Sequence, residues 1–399
     1  MTIVFFAHPL FLGQQSMPRF AQMLAGGMKE RGHKVEIWMP KPVFNNLPVP
    51  TVLKKWMGYI DQYVLFAIEI KRRLHACAPD TLFVFTDQAL GPWVPTVADR
   101  YHVIHCHDFL AQRSALGEIK ENPTRWTGRC YQRFIRSGYS RGRNFISVSN
   151  KTQEDLHRFL HFTPSVSEVV YNGLNQSFLP LGTDSARSLL KEEIAWEIKE
   201  GYILHVGGNE WYKNRVGVIE IYNAWRSGGR GNVPLMLIGN APDRNILDAY
   251  NLSPYKSEIY FLSGRNDEFV RLAYCGASVL LFPSLEEGFG WPIAEAMASG
   301  CPVITTGEAP MTEVAGSAGF FIPRRPQGSD EIINWAEHAA RVLDDVLKLS
   351  PSELKKVREA GLENASRFET DKALNYIMDI YKNILLSENK KSLGLMQLN

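Results

Sequence analysis

Residues 283–300 read Pro-Ser-Leu-Glu-Glu-Gly-Phe-Gly-Trp-Pro-Ile-Ala-Glu-Ala-Met-Ala-Ser-Gly. The stretch follows an apolar run, Val279–Phe282, that reads as a buried strand, and it passes into a helical pattern. Pro292 stands near the first helical position, where a missing N–H costs nothing. Gly288 and Gly290 let the backbone approach a ligand closely. The start of a helix presents free N–H groups and about half a positive charge, suited to a phosphate or a sugar hydroxyl oxygen. Glu287 lies in the loop and Glu295 in the first helical turn. A first-turn glutamate can serve the helix dipole alone. Two glutamates around a Gly-Phe-Gly turn ask for more, and carboxylates are good acceptors for the paired hydroxyls of a sugar or a ribose.

The same alternation of strand and helix extends outward from this segment. Strands are expected at Ile3–Ala7, Val35–Met39, Leu82–Thr86, His102–Cys106 and Phe145–Val148. The pattern restarts at Tyr202–Val206 and continues through Leu235–Ile238, Ile259–Leu262, Val279–Phe282, Pro302–Thr305 and Phe320–Ile322. Such alternation implies an α/β chain with parallel sheets covered on both faces. Two Rossmann-like domains facing one cleft are expected, at 1–180 and 181–370. Residues 371–399 would be a closing helix able to pack back on the first domain, and a loose tail from Glu388. Within the linker, Ser185–Lys199 reads as helical, and Ser329–Leu386 reads as three helices.

Composition narrows the function. Of 399 residues, 45% are hydrophobic and 22% charged, and no apolar run approaches the length of a membrane span. The apolar opening lacks a basic start and a small-residue cleavage site, so it reads as a first buried strand. Five scattered cysteines without a C-x-x-C pattern read as reduced core thiols of a cytoplasmic protein. The formal charge of +2 hides a basic first half and an acidic second half, which suggests units that meet different partners. No G-x-G-x-x-G follows a strand, and there is no Gly-Lys P-loop dipeptide, no Asp-x-Asp and no H-E-x-x-H. No metal ligand set is therefore expected.

The Glu-x7-Glu spacing of Glu287 and Glu295 within EGFGWPIAEAMASGCPVI resembles the retaining glycosyltransferases of family 4 (glycosyltransferase group 1), which have the two-domain GT-B fold. HVGGNEWYKN at 205–214, LMLIGN at 235–240, FLSG at 261–264 and ASRFETDKALNYIMDIY at 365–381 fit the same family. So do RGHKVEIW at 31–38, IHCHD at 104–108, FISVSN at 145–150 and VVYNGLN at 169–175. The resemblance implies that Glu295 holds the ribose hydroxyls and Glu287 a hydroxyl of the donor sugar. It implies that the backbone of Phe289, Gly290 and Trp291 meets sugar and diphosphate, and that Lys213 neutralises the leaving diphosphate. Gly264 and Arg265 would contact the base, and His107 would reach the donor sugar, with Asp108 capping the next helix. Two positions depart from the family pattern. Gly208 stands where many members carry an Arg, so Lys213 would act with another cation, Arg215 or Arg265. Gln15 and Ser16 replace a Gly-Gly pair and would add side chains on the acceptor side.

The mechanism implied is metal-independent transfer with retention at the anomeric carbon. The leaving diphosphate departs on the face that the acceptor hydroxyl attacks, and no carboxylate need form a covalent adduct. No cofactor is expected beyond the nucleotide-sugar substrate, a UDP- or GDP-sugar ahead of an ADP-sugar. Residues 125–143 carry six arginines, no acids and four aromatics. That segment reads either as a solvated basic helix or as attraction to an anionic membrane surface or diphosphate-linked lipid. Nucleic acid is not expected as a partner, since no module that binds it is present. The acceptor expected is a glycan or lipid-linked glycan at the inner face of a membrane. Transfer to a soluble acceptor and a non-catalytic nucleotide-sugar-binding role are the alternatives.

Overall fold

Strands buried on both faces need apolar side chains at successive positions rather than alternate ones, and the central strands of this chain have them. The computed structural model describes residues 1–13, 16–174, 178–194, 196 and 198–396, with side chains as far as residue 387. The chain divides into two units, one of residues 1–175 with 370–399 and one of residues 176–369.

Among the described residues the first unit carries six parallel strands. They are β1 (Thr2–Phe6), β2 (Lys34–Trp38), β3 (Leu82–Phe85), β4 (His102–Cys106), β5 (Asn144–Ser147) and β6 (Val166–Val169). Their spatial order is β2-β1-β3-β4-β5-β6. The half-buried edge strand β6, Val-Ser-Glu-Val, is the one the sequence did not betray. Its run is too short and too polar to stand out. Gly32, at φ 80°, turns the chain from α1 (Ser16–Glu30) into β2. Two helices, α2 (Thr51–Ile60) and α3 (Phe66–Leu74), are joined by a π turn. Asp61 sits in that turn, buried, with its carboxylate accepting the Phe44 and Asn45 N–H groups, each at 2.9 Å. Further along lie α4 (Leu110–Ala115), α5 (Trp126–Tyr139) and α6 (Asn150–Phe159).

The closing helix, Thr370–Met396, completes this first unit and continues where a loose tail was expected. Leu374, Ile377, Tyr381 and Ile384 repeat at helical spacing and bury against Phe20, Leu24 and Met28 of α1. The Tyr381 hydroxyl and Nε2 of His105 are hydrogen-bonded at 2.7 Å. Arg31 reaches back to Asp371 at 2.8 Å and to Asn375 Oδ1 at 2.9 Å.

The second unit holds α7 (Thr183–Lys191), β7 (Ile203–Val206), α8 (Arg215–Ser227), β8 (Leu235–Gly239), α9 (Arg244–Leu252), β9 (Ile259–Ser263) and α10 (Asp267–Gly276). It goes on through β10 (Val279–Phe282), α11 (Trp291–Ala298), β11 (Val303–Thr306), α12 (Met311–Ala315), β12 (Phe320–Ile322), α13 (Ser329–Leu347) and α14 (Pro351–Ala365). The parallel sheet runs β12-β11-β10-β7-β8-β9, a doubly wound order that reverses between β7 and β10. Helix α7 stops at Lys191, short of the expected Lys199; farther on, Trp196 lies flat on Tyr260 at 4.0 Å between ring centres. The expectation of core thiols also needs correction. Cys106, Cys275 and Cys301 are buried, but Cys77 is half-buried and Cys130 is exposed on α5. No helix of the described residues is long and apolar enough to cross a membrane.

Candidate active site

In an open parallel sheet, ligands bind outside the carboxyl ends of the strands where the strand order reverses. In the second unit that point lies between β7 and β10. The 207–214 and 283–290 loops leave those two strands, and a network of hydrogen bonds ties them together. Asn214, in the left-handed region at φ 51°, caps α8 by accepting the Gly217 N–H at 3.2 Å. Its amide donates to the Pro283 carbonyl at 2.8 Å. The Leu285 N–H donates to the Tyr212 carbonyl at 2.7 Å.

These bonds bring Lys213 to Glu287. The ammonium lies 2.7 Å from Glu287 Oε1, with the two side chains 14% and 8% exposed. Ser284 Oγ is also 2.7 Å from that oxygen. Glu295 stands in the second turn of α11 and not in the first turn expected from the sequence, and its Oε2 accepts the buried Tyr274 hydroxyl at 2.9 Å. Burial, and then the Glu295 carboxylate, push the Tyr274 phenol far above its ordinary range, so it stays a proton donor. Gly290 takes φ 103° at the helix start, a conformation that favours glycine. The Phe289 side chain is buried against Phe368 and Trp291, at 5.4 and 5.9 Å.

The residues expected around the rest of the donor are dispersed. A side chain at Gly208 would run into the Glu210 carboxylate, so this position cannot carry the family's arginine without displacing that acid. Gly264, at φ 68°, ends β9. Arg265 stacks on Phe269 and pairs with Glu193 at 3.4 Å. Arg215 is buried, donating to Asn209 Oδ1 and the Asn240 carbonyl, and burial lowers its pKa to about 10. Neither arginine pairs with Lys213 on Glu287. The cation beside the motif that sequence reasoning missed is Arg324, whose Nε donates to the Leu285 carbonyl at 3.3 Å. It follows β12, far along the chain, and carried no local signal.

In the first unit the strand order reverses between β1 and β3. His8 follows β1 and Asp87 follows β3; His8 Nε2 lies 2.8 Å from Asp87 Oδ2, and both residues are buried. Asp87 also accepts the Ala89 N–H at 2.9 Å. Burial alone would raise the Asp87 pKa, but the bond to His8 and these further contacts prevail and hold it below the carboxylate range. His107, at the end of β4, donates Nε2–H to the Thr86 carbonyl at 2.9 Å and packs edge-on against Phe20. Burial lowers its pKa against the pull of Asp87, so the ring is neutral with Nδ1 as its acceptor nitrogen. Asp108 accepts the Leu110 N–H at 3.0 Å, at the start of α4. Ser16 opens α1 and is exposed, and Gln15 lies outside the described residues. The His8–Asp87 pair escaped sequence reasoning because its members are far apart in the chain.

Comparison with known proteins agrees with this layout. Residues 17–178 match the family model for Glycosyltransferase Family 4, and residues 200–345 match that for Glycosyl transferases group 1. The O-antigen chain mannosyltransferase B of Escherichia coli is 26% identical over 59% of this chain and 60% of its own length. The chain thus spans less than two thirds of that relative. Among solved structures, the lipopolysaccharide-biosynthesis glycosyltransferase WaaG superposes with TM-score 0.70 at 17% identity, over 96% of this chain and 99% of its own. Anabaena HepE, in complex with UDP and glucose, superposes with TM-score 0.68 at 16% identity, over 95% and 98%.

Proposed function

The chain belongs to the group 1 glycosyltransferases of family 4, with the GT-B fold, and on that premise we propose that it moves a sugar from a nucleotide-sugar donor to an acceptor hydroxyl with retention at the anomeric carbon. The observation that carries this reading is the Lys213–Glu287 pair at the β7/β10 reversal, beside the start of α11. When a donor binds, its diphosphate competes for the Lys213 ammonium, and Glu287 is released to accept a sugar hydroxyl. The charge that develops on the leaving diphosphate then meets Lys213 and the positive end of the α11 dipole. Before the donor binds, Glu287 Oε1 is held by Lys213 and Ser284, and once Lys213 turns to the diphosphate the carboxylate keeps the Ser284 hydroxyl while it accepts the sugar hydroxyl. The leaving phosphate takes the acceptor proton, and no metal enters this scheme. Glu295, held by Tyr274, takes the ribose hydroxyls, and neutral His107 offers Nδ1 to a sugar hydroxyl.

We assign the donor as a UDP- or GDP-sugar and the acceptor as a lipid-linked or surface glycan. The relatives that bear O-antigen and lipopolysaccharide names support the acceptor class, and HepE with UDP supports the donor class. A second observation favours a peripheral site on an anionic membrane. Tyr59 of α2 stacks on Tyr131 of α5, at 5.4 Å between ring centres, so the two helices share one surface. That surface exposes Trp56 and Trp126, at 57% and 76%, among the arginines of α5 and Lys54–Lys55. Glu295→Ala or Lys213→Ala is expected to abolish transfer while the chain stays folded, and wild-type rates in either variant overturn the assignment. The anomeric proton coupling of the product tests retention, and an unchanged rate in EDTA tests metal independence. Sedimentation with phosphatidylglycerol vesicles, lost on replacing Arg129, Arg133 and Arg136 by Gln, tests the membrane reading.

A further inference from the structure

Arg215 is the first residue of α8 and is only 3% exposed. Three things disfavour a cation there. The start of a helix already carries partial positive charge. Burial strips the guanidinium of water. Two of its nitrogens, Nε and Nη2, are buried without a hydrogen-bond partner, and Nη1 alone bonds, to Asn209 Oδ1 and to the Asn240 carbonyl. Asp243 and Glu210 act on it through space, neither by a hydrogen bond. A neutral side chain would avoid the first two costs, so the charge asks for a use.

Its place in the fold supplies one. Arg215 follows the loop that leaves β7 and carries Lys213. Through Asn209 and Asn240 it ties that loop to the one that leaves β8. The same two loops meet where the Gly207 carbonyl crowds Gly239, so closely that a β-carbon on Gly239 would stand 1.9 Å from it. The Lys213 methylenes pack on Gly207, 3.4 Å from where its β-carbon would stand. Residues 207–209 are thus gripped by two cations, and both charges act on the His205 ring just before them. Gly207, Gly208 and Asn209 bring no charge of their own, and the Glu210 carboxylate fills the space that a side chain at Gly208 would take. A diphosphate over this loop would meet Lys213 and an acid in front, and the Arg215 charge behind.

We propose that Arg215 is a positioning residue for the donor diphosphate: it clamps residues 207–209 and lends them, from behind, a positive charge that none of their own side chains supplies. Its unpartnered nitrogens are sealed from solvent, so it acts through the loop and through its field, and touches no ligand atom. Such a field is little screened by salt, because protein and not water surrounds the charge. The inference rests on reading the second unit as the donor side of a glycosyltransferase. It predicts a grip graded by the phosphate charge of the ligand.

Ligand-observed NMR titration of the full chain tests it, with uridine, UMP and UDP and with guanosine, GMP and GDP as probes. In Arg215→Gln the diphosphate that binds the wild type should lose about tenfold or more in affinity, its monophosphate less, and its nucleoside less than about twofold. Arg215→Lys, which keeps the charge and loses the planar fork, should recover most of that loss. Melting curves check that the variants fold, and Arg215→Met, which keeps a long side chain over the Phe261 ring, takes the place of a Gln variant that does not. Equal losses for nucleoside and diphosphate, an undiminished diphosphate affinity, or a Lys variant as weak as the neutral one overturns the proposal. Failure of the donor reading looks different: neither UDP nor GDP would then bind the wild-type chain, and that result overturns both.

Discussion

Lys213 and Glu287 form an ion pair whose two ends are nearly buried, and removing one end should cost more than removing both. In Lys213→Met the Glu287 carboxylate keeps Ser284 but loses its cation while 8% exposed. Breaking a buried pair from one side costs about 3–5 kcal/mol when the remaining charge is wholly uncompensated. One surviving hydroxyl partner and the residual exposure bring the expected loss to about 2–3 kcal/mol. For a unit of about 190 residues, each kcal/mol moves the melting temperature by about 2–4 °C, so the shift is about 5–10 °C. The double variant Lys213→Met/Glu287→Gln carries no buried charge, and its amide can still meet Ser284. It should lie within about 1 kcal/mol of wild type, a coupling of at least about 1 kcal/mol. Calorimetry that resolves the two units, with all four proteins in one buffer, measures the cycle. Additive losses would refute the reasoning, because they would mean that the 2.7 Å pair has no energetic content. Transfer should be absent in all three variants whatever their stability.

Tyr274→Phe removes the donor to Glu295 Oε2 at 2.9 Å, and initial-rate kinetics should show a donor KM raised about three- to tenfold, as loss of one bond worth about 1 kcal/mol requires, with kcat nearly unchanged. Gly138→Ala drives a methyl group into the Gly91 backbone, which cannot yield as a side chain would; urea unfolding should show the first unit destabilised by about 2–3 kcal/mol. His105 and His205 are buried with pKa values lowered to about 3, so between that pH and about 6.5 the unfolded chain binds more protons and stability falls as pH falls. Each should cost about 2 kcal/mol at pH 5 relative to pH 7, seen as a lower melting temperature, and His105→Gln should remove part of the slope in the first unit.

The donor side was legible because its parts are contiguous. The run from Val279 through Gly300 supplies the strand, the glycines, the proline and both glutamates in chain order, and each has a positional meaning that needs no partner elsewhere. Lys213 was readable for the same reason, inside one strand-loop-helix unit. What stayed hidden is whatever must arrive from a distance. Ser284 sits inside the quoted motif, yet nothing in the sequence said that its hydroxyl would face Glu287. Tyr274 is an ordinary aromatic of α10 until folding sets it under Glu295. Strand β6 and the π turn at Asp61 were missed because tertiary pairing, and not local pattern, decides them.

The same distinction explains why the motif reveals the chemistry and not the acceptor. On the proposed reading a diphosphate and a ribose need a helix start, one ammonium and two carboxylates, which two short strand-loop-helix segments can supply. The pocket of the first unit draws Asp87 and Gln88 from beyond β3, Asp108 from beyond β4, Gln112 from α4, and Gln132 and Tyr139 from α5. Helix α5 is brought against residues 88–97 by the close approach of Gly138 to Gly91, backbone against backbone, a packing relation with no local signature. Gln112 and Gln132 lie outside every quoted motif, so either can change without disturbing one. That lining can therefore drift through single substitutions such as Gln112 or Gln132 to lysine while Lys213, Glu287 and Glu295 stay fixed.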